Sequence, residues 1–246
     1  MIVLIGVGHV FKIQGKLINL IYSLQPDVIC VELDTLRAES LIALAKENSK
    51  KDYRDNQTHR KKKKDTRELP FLYQILAMLQ SSVADKFETQ PGMEMLAAIE
   101  IAKLLGAKLE FIDIDAITIA ERVWREMSFI ERWKFIAGIF FGFFLPKKSV
   151  EKSMEEFVSD EARMIASFGK EFPTLKRILI DERNEYMGWR IAVCAREYEN
   201  VVCVVGEGHI EGISKNLTRR GFPHRIVHLK NLLYEKNTEF SCSWVY

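Results

Sequence analysis

Four short apolar runs punctuate the chain: IVLI at 2–5, VICVEL at 28–33, KLEFIDI at 108–114 and VVCVVG at 201–206. They are rich in β-branched residues, and most are continuous rather than alternating, the pattern of strands covered on both faces in a parallel sheet. The stretches between them carry helical periodicity. The predicted class is therefore α/β, a mainly parallel sheet flanked by helices. In TQPGMEMLAAIEIAKLLGA, Thr89 is placed to cap a helix, Pro91 falls in its first turn and Gly106 stops it. Met95, Ala98, Ala102 and Leu105 form its apolar stripe. Residues 116–198 read as consecutive helices with no strand signal. No Gly/Pro/Ser linker marks their edges, so they are expected as a helical insertion between the third and fourth strands of a single domain spanning 1–246.

Two segments depart from this pattern. The polar, basic stretch 46–68, with Lys61 to Lys64 in a row, predicts a mobile surface loop or a docking site for phosphate or an acidic partner. FIAGIFFGFFL at 135–145 is flanked by Arg132, Lys134, Lys147 and Lys148 and is too short to span a bilayer. A core helix or a lid over a groove is expected there. A dimer contact or an interfacial anchor are the alternatives, which leave room for a homo-oligomer or a peripheral membrane contact.

Composition narrows the classes. The 246 residues are 48% apolar and 28% charged, as in a globular protein with a sizeable core. A net charge of +2 gives no general attraction for nucleic acid, which is not expected as a partner. Cys30, Cys194, Cys203 and Cys242 form no C-x-x-C pair and are expected to be reduced and structural. The apolar N-terminus lacks a basic leader and a cleavage site, so it reads as a first strand, and a cytoplasmic location is expected.

The candidate chemistry lies at strand ends. Gly6-Val7-Gly8-His9 and Gly206-Glu207-Gly208-His209 each follow a strand and precede a possible helix. Both would sit at the carboxyl edge of the sheet, where the loops of open α/β folds bind ligands. Neither continues as G-x-G-x-x-G, since Phe11 and Glu211 intervene, which disfavours a dinucleotide site. The matching ends predict that the first and a late strand lie side by side and that His9 and His209 approach each other at one edge, where such imidazoles suit a divalent metal or the activation of water. Glu32, Asp34, Asp113 and Asp115 end their strands at the same edge. Helix capping accounts for Asp34 but not for Glu32. Leu179, Arg183, Met187, Ile191 and Cys194 recur at helical spacing and place Arg183 on the buried stripe. There it needs an acidic partner or an anionic ligand, unless it snorkels to the surface.

The segments GVGHV (6–10), PDVICVELDTLR (26–37), PGMEMLAAIEIAKLLGAKLEFIDID (91–115), DERNEYM (181–187) and GEGHIEGI (206–213) occur in order across nearly the whole chain. Together they resemble the TraB/PrgY family, related to GumN and the Tiki membrane proteases and more distantly to erythromycin esterase-like enzymes. The resemblance carries the paired Gly-x-x-His motifs onto His9 and His209, the family glutamates onto Glu32 and Glu94, and an Arg-Asn pair onto Arg183 and Asn184. It implies a metal-dependent hydrolase acting on peptides or small esters. His9, His209 and Glu32 would hold manganese, cobalt or zinc, and Glu32, Glu94, Arg183 and Asn184 would act in catalysis. For Arg183, Glu32 is the first expected partner and Glu94 the second. A metal-free esterase-like hydrolase and a non-catalytic ligand-binding or signalling module remain open. Ile114 stands where relatives often carry arginine, Glu207 and Glu211 flank His209 where neutral residues are usual, and many relatives continue into membrane-spanning helices beyond this region.

Overall fold

A computed structural model of the chain describes residues 1–8, 13–52, 92–142, 161–234 and 243–245. Five parallel strands form the sheet: β1 (Ile2–Val7), β2 (Val28–Val31), β3 (Lys108–Phe111), β4 (Val201–Gly206) and β5 (His224–Val227). A short strand, β6 (Ser243–Val245), adds antiparallel to β5, giving the order β3-β2-β4-β1-β5-β6. All six residues of β1 are buried, which explains why its sequence is continuously apolar. The two outer strands β5 and β6 lie beyond the four runs predicted from the sequence.

Helices cover both faces. Val3, Ile5 and Val7 of β1 pack with Leu17, Leu20 and Ile21 of α1 (Gln14–Leu24) and with Met95, Ile99 and Ala102 of α3 (Met93–Leu105). On the other face Ile2 and Leu4 join Met187 and Ile191 of α8 (Glu182–Glu197) and Ile210, Ile213 and Leu217 of α9 (Glu207–Arg219). Strand alternation thus feeds two separate cores. Cys30 and Cys203 are register partners on β2 and β4, and with Cys194 they are buried free thiols. Contact with the Cys30 thiol, reinforced by burial, pushes Cys194 far above the range of a reactive thiol. Cys242 lies outside the described residues.

Several boundaries differ from expectation. α2 (Thr35–Asp52) continues through the start of the basic segment, so residues 46–52 are helical rather than loop, while 53–68, with the lysine run, lie outside the described residues. α3 starts after Gly92, whose φ of 86° is a left-handed conformation that suits glycine, and ends at Gly106 with φ 68°. Thr89 and Pro91 fall outside the described residues. Between β3 and β4 the described residues hold helices and no strand: α4 (Ala116–Glu126), α5 (Phe129–Gly142), α6 (Glu161–Glu171), α7 (Pro173–Lys176) and a π-helical turn (Arg177–Asp181) that runs into α8. The apolar stretch from Phe135 is therefore helical to Gly142. Phe135 packs beside a third cluster of Ile119, Val123, Leu175 and Ile178, whereas Phe129, Ile130, Trp133 and Ile136 are exposed. Residues 143–145 lie outside the described residues. No helix among the described residues is long and apolar enough to cross a membrane.

Topology selects the place for a site. From β1 the chain moves through α1 on one face, and from β4 through α9 on the other, so the connections diverge where β1 and β4 lie side by side. Such a switch point opens a crevice at the carboxyl ends of the strands.

Candidate functional site

Glu32 is the first residue beyond β2, and its N–H still donates to Val204 O at 3.1 Å. Its carboxylate turns across the edge to β4, where Oε2 accepts from the Gly206 N–H at 2.6 Å. Its other oxygen, Oε1, accepts from Arg183 Nη2 at 2.5 Å and lies 3.3 Å from His209 Nε2. Burial alone would raise the Glu32 pKa. Interaction with His209, the charge of Arg183 and the Gly206 N–H outweigh it and hold Glu32 well below the usual carboxylate range.

Arg183 projects from the first turn of α8, just after the π-helical turn. Its Nε and Nη2 grip Asp113 at 2.9 and 2.7 Å, and Nη1 donates to Leu179 O at 3.0 Å. Its pKa is pushed up because the two carboxylates more than offset the cost of burial, so it is permanently charged. Asp113 also accepts from Arg37 Nη2 at 2.5 Å and from the Ile114 N–H at 2.8 Å. Arg37 is itself held by Asp34, through Nε at 2.5 Å and its backbone N–H at 2.9 Å. Asp34 thus caps α2, as the sequence suggests, and also orients a guanidinium.

His209 lies in the first turn of α9. Its Nδ1 is 2.6 Å from Asn184 Oδ1, so this nitrogen carries the proton and Nε2 faces Glu32. Gly212 makes that contact possible, since a Cβ there would stand 2.0 Å from Asn184 Nδ2. One residue earlier in the same turn than Gly208, the Glu207 carboxylate accepts from His228 Nδ1 and Leu229 N–H, each at 2.7 Å. It lies against Gly6 so closely that a Cβ on Gly6 would be 1.9 Å from its Oε2. The first glycine of the N-terminal motif is therefore required by the glutamate of the second.

Of the residues suggested by the sequence, Glu32, His209, Arg183 and Asn184 come together. Arg183 takes Glu32, the first expected partner, and Asp113 in place of Glu94. Glu94 sits in the first turn of α3 at 1% exposure. His9 lies outside the described residues, but Val7 pairs with Gly206 in register, so the end of β1 that precedes His9 and the start of α9 that carries His209 lie at the same edge on adjacent strands. Asp115 caps α4 by accepting from Thr118 N–H at 2.7 Å. Arg37, Asp113 as an ion-pair partner, and the Glu207–His228 pair were not singled out in the sequence for these roles. The only signals for them are the acidic strand end at 113 and the unusual Glu207. A cleft of about 310 Å³, lined in part by Asp34, Leu36, Phe111, Asp113, Tyr186 and Arg190, opens against this cluster. Another of similar volume, between α2 and α3, is lined by Ile42, Lys46, Leu96 and Lys103 and contains none of these groups.

The buried ionic cluster has a defined charge. Glu32, Asp34 and Asp113 face Arg37 and Arg183. Among the described residues of this cluster, three carboxylates against two guanidiniums leave one negative charge, which a proton on His209 or another cation would balance.

The sequence matches the TraB/PrgY/gumN family over residues 1–223. It is 32% identical over 227 residues to an uncharacterised protein of Methanocaldococcus jannaschii, an alignment covering 89% of this chain and 53% of that protein. TraB domain-containing proteins of Mus musculus and Homo sapiens are each 25% identical, with 86% of this chain aligned to 61% of theirs. The chain thus spans about half to three-fifths of the length of these relatives. With its strand-end glycines, acids and Arg183–Asn184 pair on one sheet edge, the chain belongs to the TraB/PrgY/gumN family.

Proposed function

We propose that the chain is a hydrolase working at the carboxyl edge of β1, β2 and β4 with a peptide as substrate, where His209 and Glu32 are the residues that would hold a divalent cation. The carrying observation is the orientation of His209. Asn184 Oδ1 takes the Nδ1 proton, so in a neutral imidazole Nε2 is the unprotonated nitrogen, and it lies 3.3 Å from Glu32 Oε1. Two acceptors that close are stabilised by a proton or a metal cation shared by them, and a side-chain carbonyl on Nδ1 is the usual second partner of a metal-ligating histidine.

The donor set fits such an ion in part. His209 Nε2 and Glu32 are a nitrogen and an oxygen ligand of the types zinc, manganese or cobalt accept, and the described carboxylates of the cluster outnumber its described guanidiniums by one. No group of three ligand-type side chains is assembled among the described residues, and His9 would be the third. When bound, the ion would supply Lewis-acid polarisation of the scissile carbonyl and make water more acidic. The chain's own residues would do the rest. Glu32, held well below the usual carboxylate range, is a poor proton acceptor and serves to anchor charge. Proton transfer is assigned to Glu94, the buried glutamate at the start of α3. Arg183 has all three guanidinium nitrogens engaged, so it orients Glu32 and Asp113 rather than meeting the substrate oxygen. Asn184 fixes the tautomer of His209.

A second reading has its own support. Doubly protonated His209 would satisfy Asn184 and Glu32 together, which supports a metal-free hydrolase built on an imidazolium–carboxylate pair. Metal analysis of the purified protein, with peptide and ester panels assayed before and after chelation, separates the readings. Stoichiometric metal and chelator-sensitive peptide cleavage support the first. Cleavage that survives full metal removal supports the second. Stoichiometric metal without cleavage of any substrate would make the protein a binding module and overturn both.

A further inference from the structure

We propose that Arg37 is a positioning residue of this site, acting through Asp113 on Arg183 and thereby on Glu32; its effect on turnover, though not on geometry, rests on the hydrolase reading. Five groups alternate in charge from the start of α2 to the end of β2: Asp34, Arg37, Asp113, Arg183 and Glu32. Each is held by its neighbour at 2.5 to 2.7 Å. The middle member decides how the chain of contacts behaves. Asp113 is 1% exposed in its side chain, and Oδ2 accepts from Arg183 and Arg37 together while Oδ1 accepts from Arg183 and the Ile114 N–H. A carboxylate offers about four lone-pair sites, so Asp113 has no spare acceptor.

Arg183 Nη2 is shared between Asp113 and Glu32. Remove Arg37, and among the described residues Arg183 is left as the one guanidinium holding both Asp113 and Glu32, so the fork that fixes its plane is set against the contact that fixes Glu32. Arg37 prevents this competition by taking half of Asp113 Oδ2. It is suited to the task because Asp34 holds both its backbone N–H and its Nε, which ties its head group to the α2 start. Arg37 itself is one-third exposed, at 32%, so replacing it opens no large cavity in the core.

The test follows the Arg183 Nε–H resonance in ¹⁵N-labelled protein, assigned by its disappearance in Arg183→Lys. In the parent this proton, bonded to Asp113, exchanges slowly with water. In Arg37→Gln its exchange is expected to accelerate at least about tenfold, the size set by weakening one hydrogen bond to a charged group. Arg37→Lys should recover part of the protection, because it restores the charge without the fork. In parallel, kcat for any cleaved peptide is expected to fall at least about tenfold with KM within about threefold, the signature of an interaction that matters beyond ground-state binding. A folded Arg37→Gln protein with parent-like exchange at Arg183 would overturn the proposal. If Arg37→Gln does not fold, Asp34→Asn keeps the helix cap and the Arg37 charge but loosens the tether, and the same acceleration is expected, with its absence equally decisive. A parent that cleaves nothing would sink the hydrolase reading and leave the exchange result to decide the role of Arg37.

Discussion

Arg183 illustrates how one side chain can be indispensable without touching a substrate. It is 14% exposed, and its removal would leave Glu32 and Asp113 buried together without their shared cation. Arg183→Ala is therefore expected to lose about 3 to 5 kcal/mol of stability by chemical denaturation, and Arg183→Lys to recover little, because an ammonium cannot grip Asp113 with two prongs. Parent-like stability in Arg183→Ala would show that the pairing contributes nothing. The need for an acid beside Arg183 was legible in the helical spacing of Leu179, Arg183 and Met187. The choice of Asp113 over Asp115 was not. IDID places both acids at one strand end, and only the direction of the chain after β3 turns Asp113 toward the guanidiniums and Asp115 onto the α4 N-terminus.

Between elements, contacts of strand ends and helix starts do similar work. Gly6→Ala would drive a methyl group into the Glu207 carboxylate and shift the β1 end against β4; a loss of about 1 to 3 kcal/mol is expected, read as an earlier denaturation midpoint. A second such contact is a capping box at the start of α5. Ser128 Oγ accepts from the Glu131 N–H at 3.2 Å, Glu131 Oε2 accepts from the Ser128 N–H at 3.1 Å, and Glu131 Oε1 takes the Thr174 N–H at 2.8 Å. One glutamate thereby joins the starts of α5 and α7. Glu131→Ala should cost about 1 to 3 kcal/mol, and an unchanged midpoint would show that the box is dispensable. The Ser-x-x-Glu signature was present in the sequence at 128–131. β5 was harder to read, since HRIV is short and centred on a charge, and His224 is buried only because Ser214 Oγ and Phe222 O satisfy its ring.

Across the molecule, the sheet order puts the two Gly-x-Gly-His strand ends side by side, and the acids gathered there and at α5 set the response to pH. Burial opposes ionisation of Glu32, Asp113 and Glu131, but cations or N–H donors outweigh it and lower all three. The unfolded chain takes up these protons near pH 4, and the folded chain only below that. Their contribution to stability is therefore complete above about pH 5 and is lost as pH falls through the depressed values. The denaturation midpoint should be level from about pH 7 to pH 5 and drop steeply below about pH 4; a midpoint that rises on acidification would contradict the ion-pair account. The class of fold was legible because continuous β-branched runs alternate with helical spacing. The adjacency of β1 and β4 was anticipated from their matching Gly-x-Gly-His ends, whereas the return of β4 between β1 and β2 after a long helical excursion left no mark in the apolar runs. The most direct test of the proposed activity compares the parent with Glu32→Gln on one mixed peptide library, counting new amino termini. The parent should generate them and folded Glu32→Gln should not, whereas equal cleavage by the two proteins would contradict a reaction centred on Glu32 and His209.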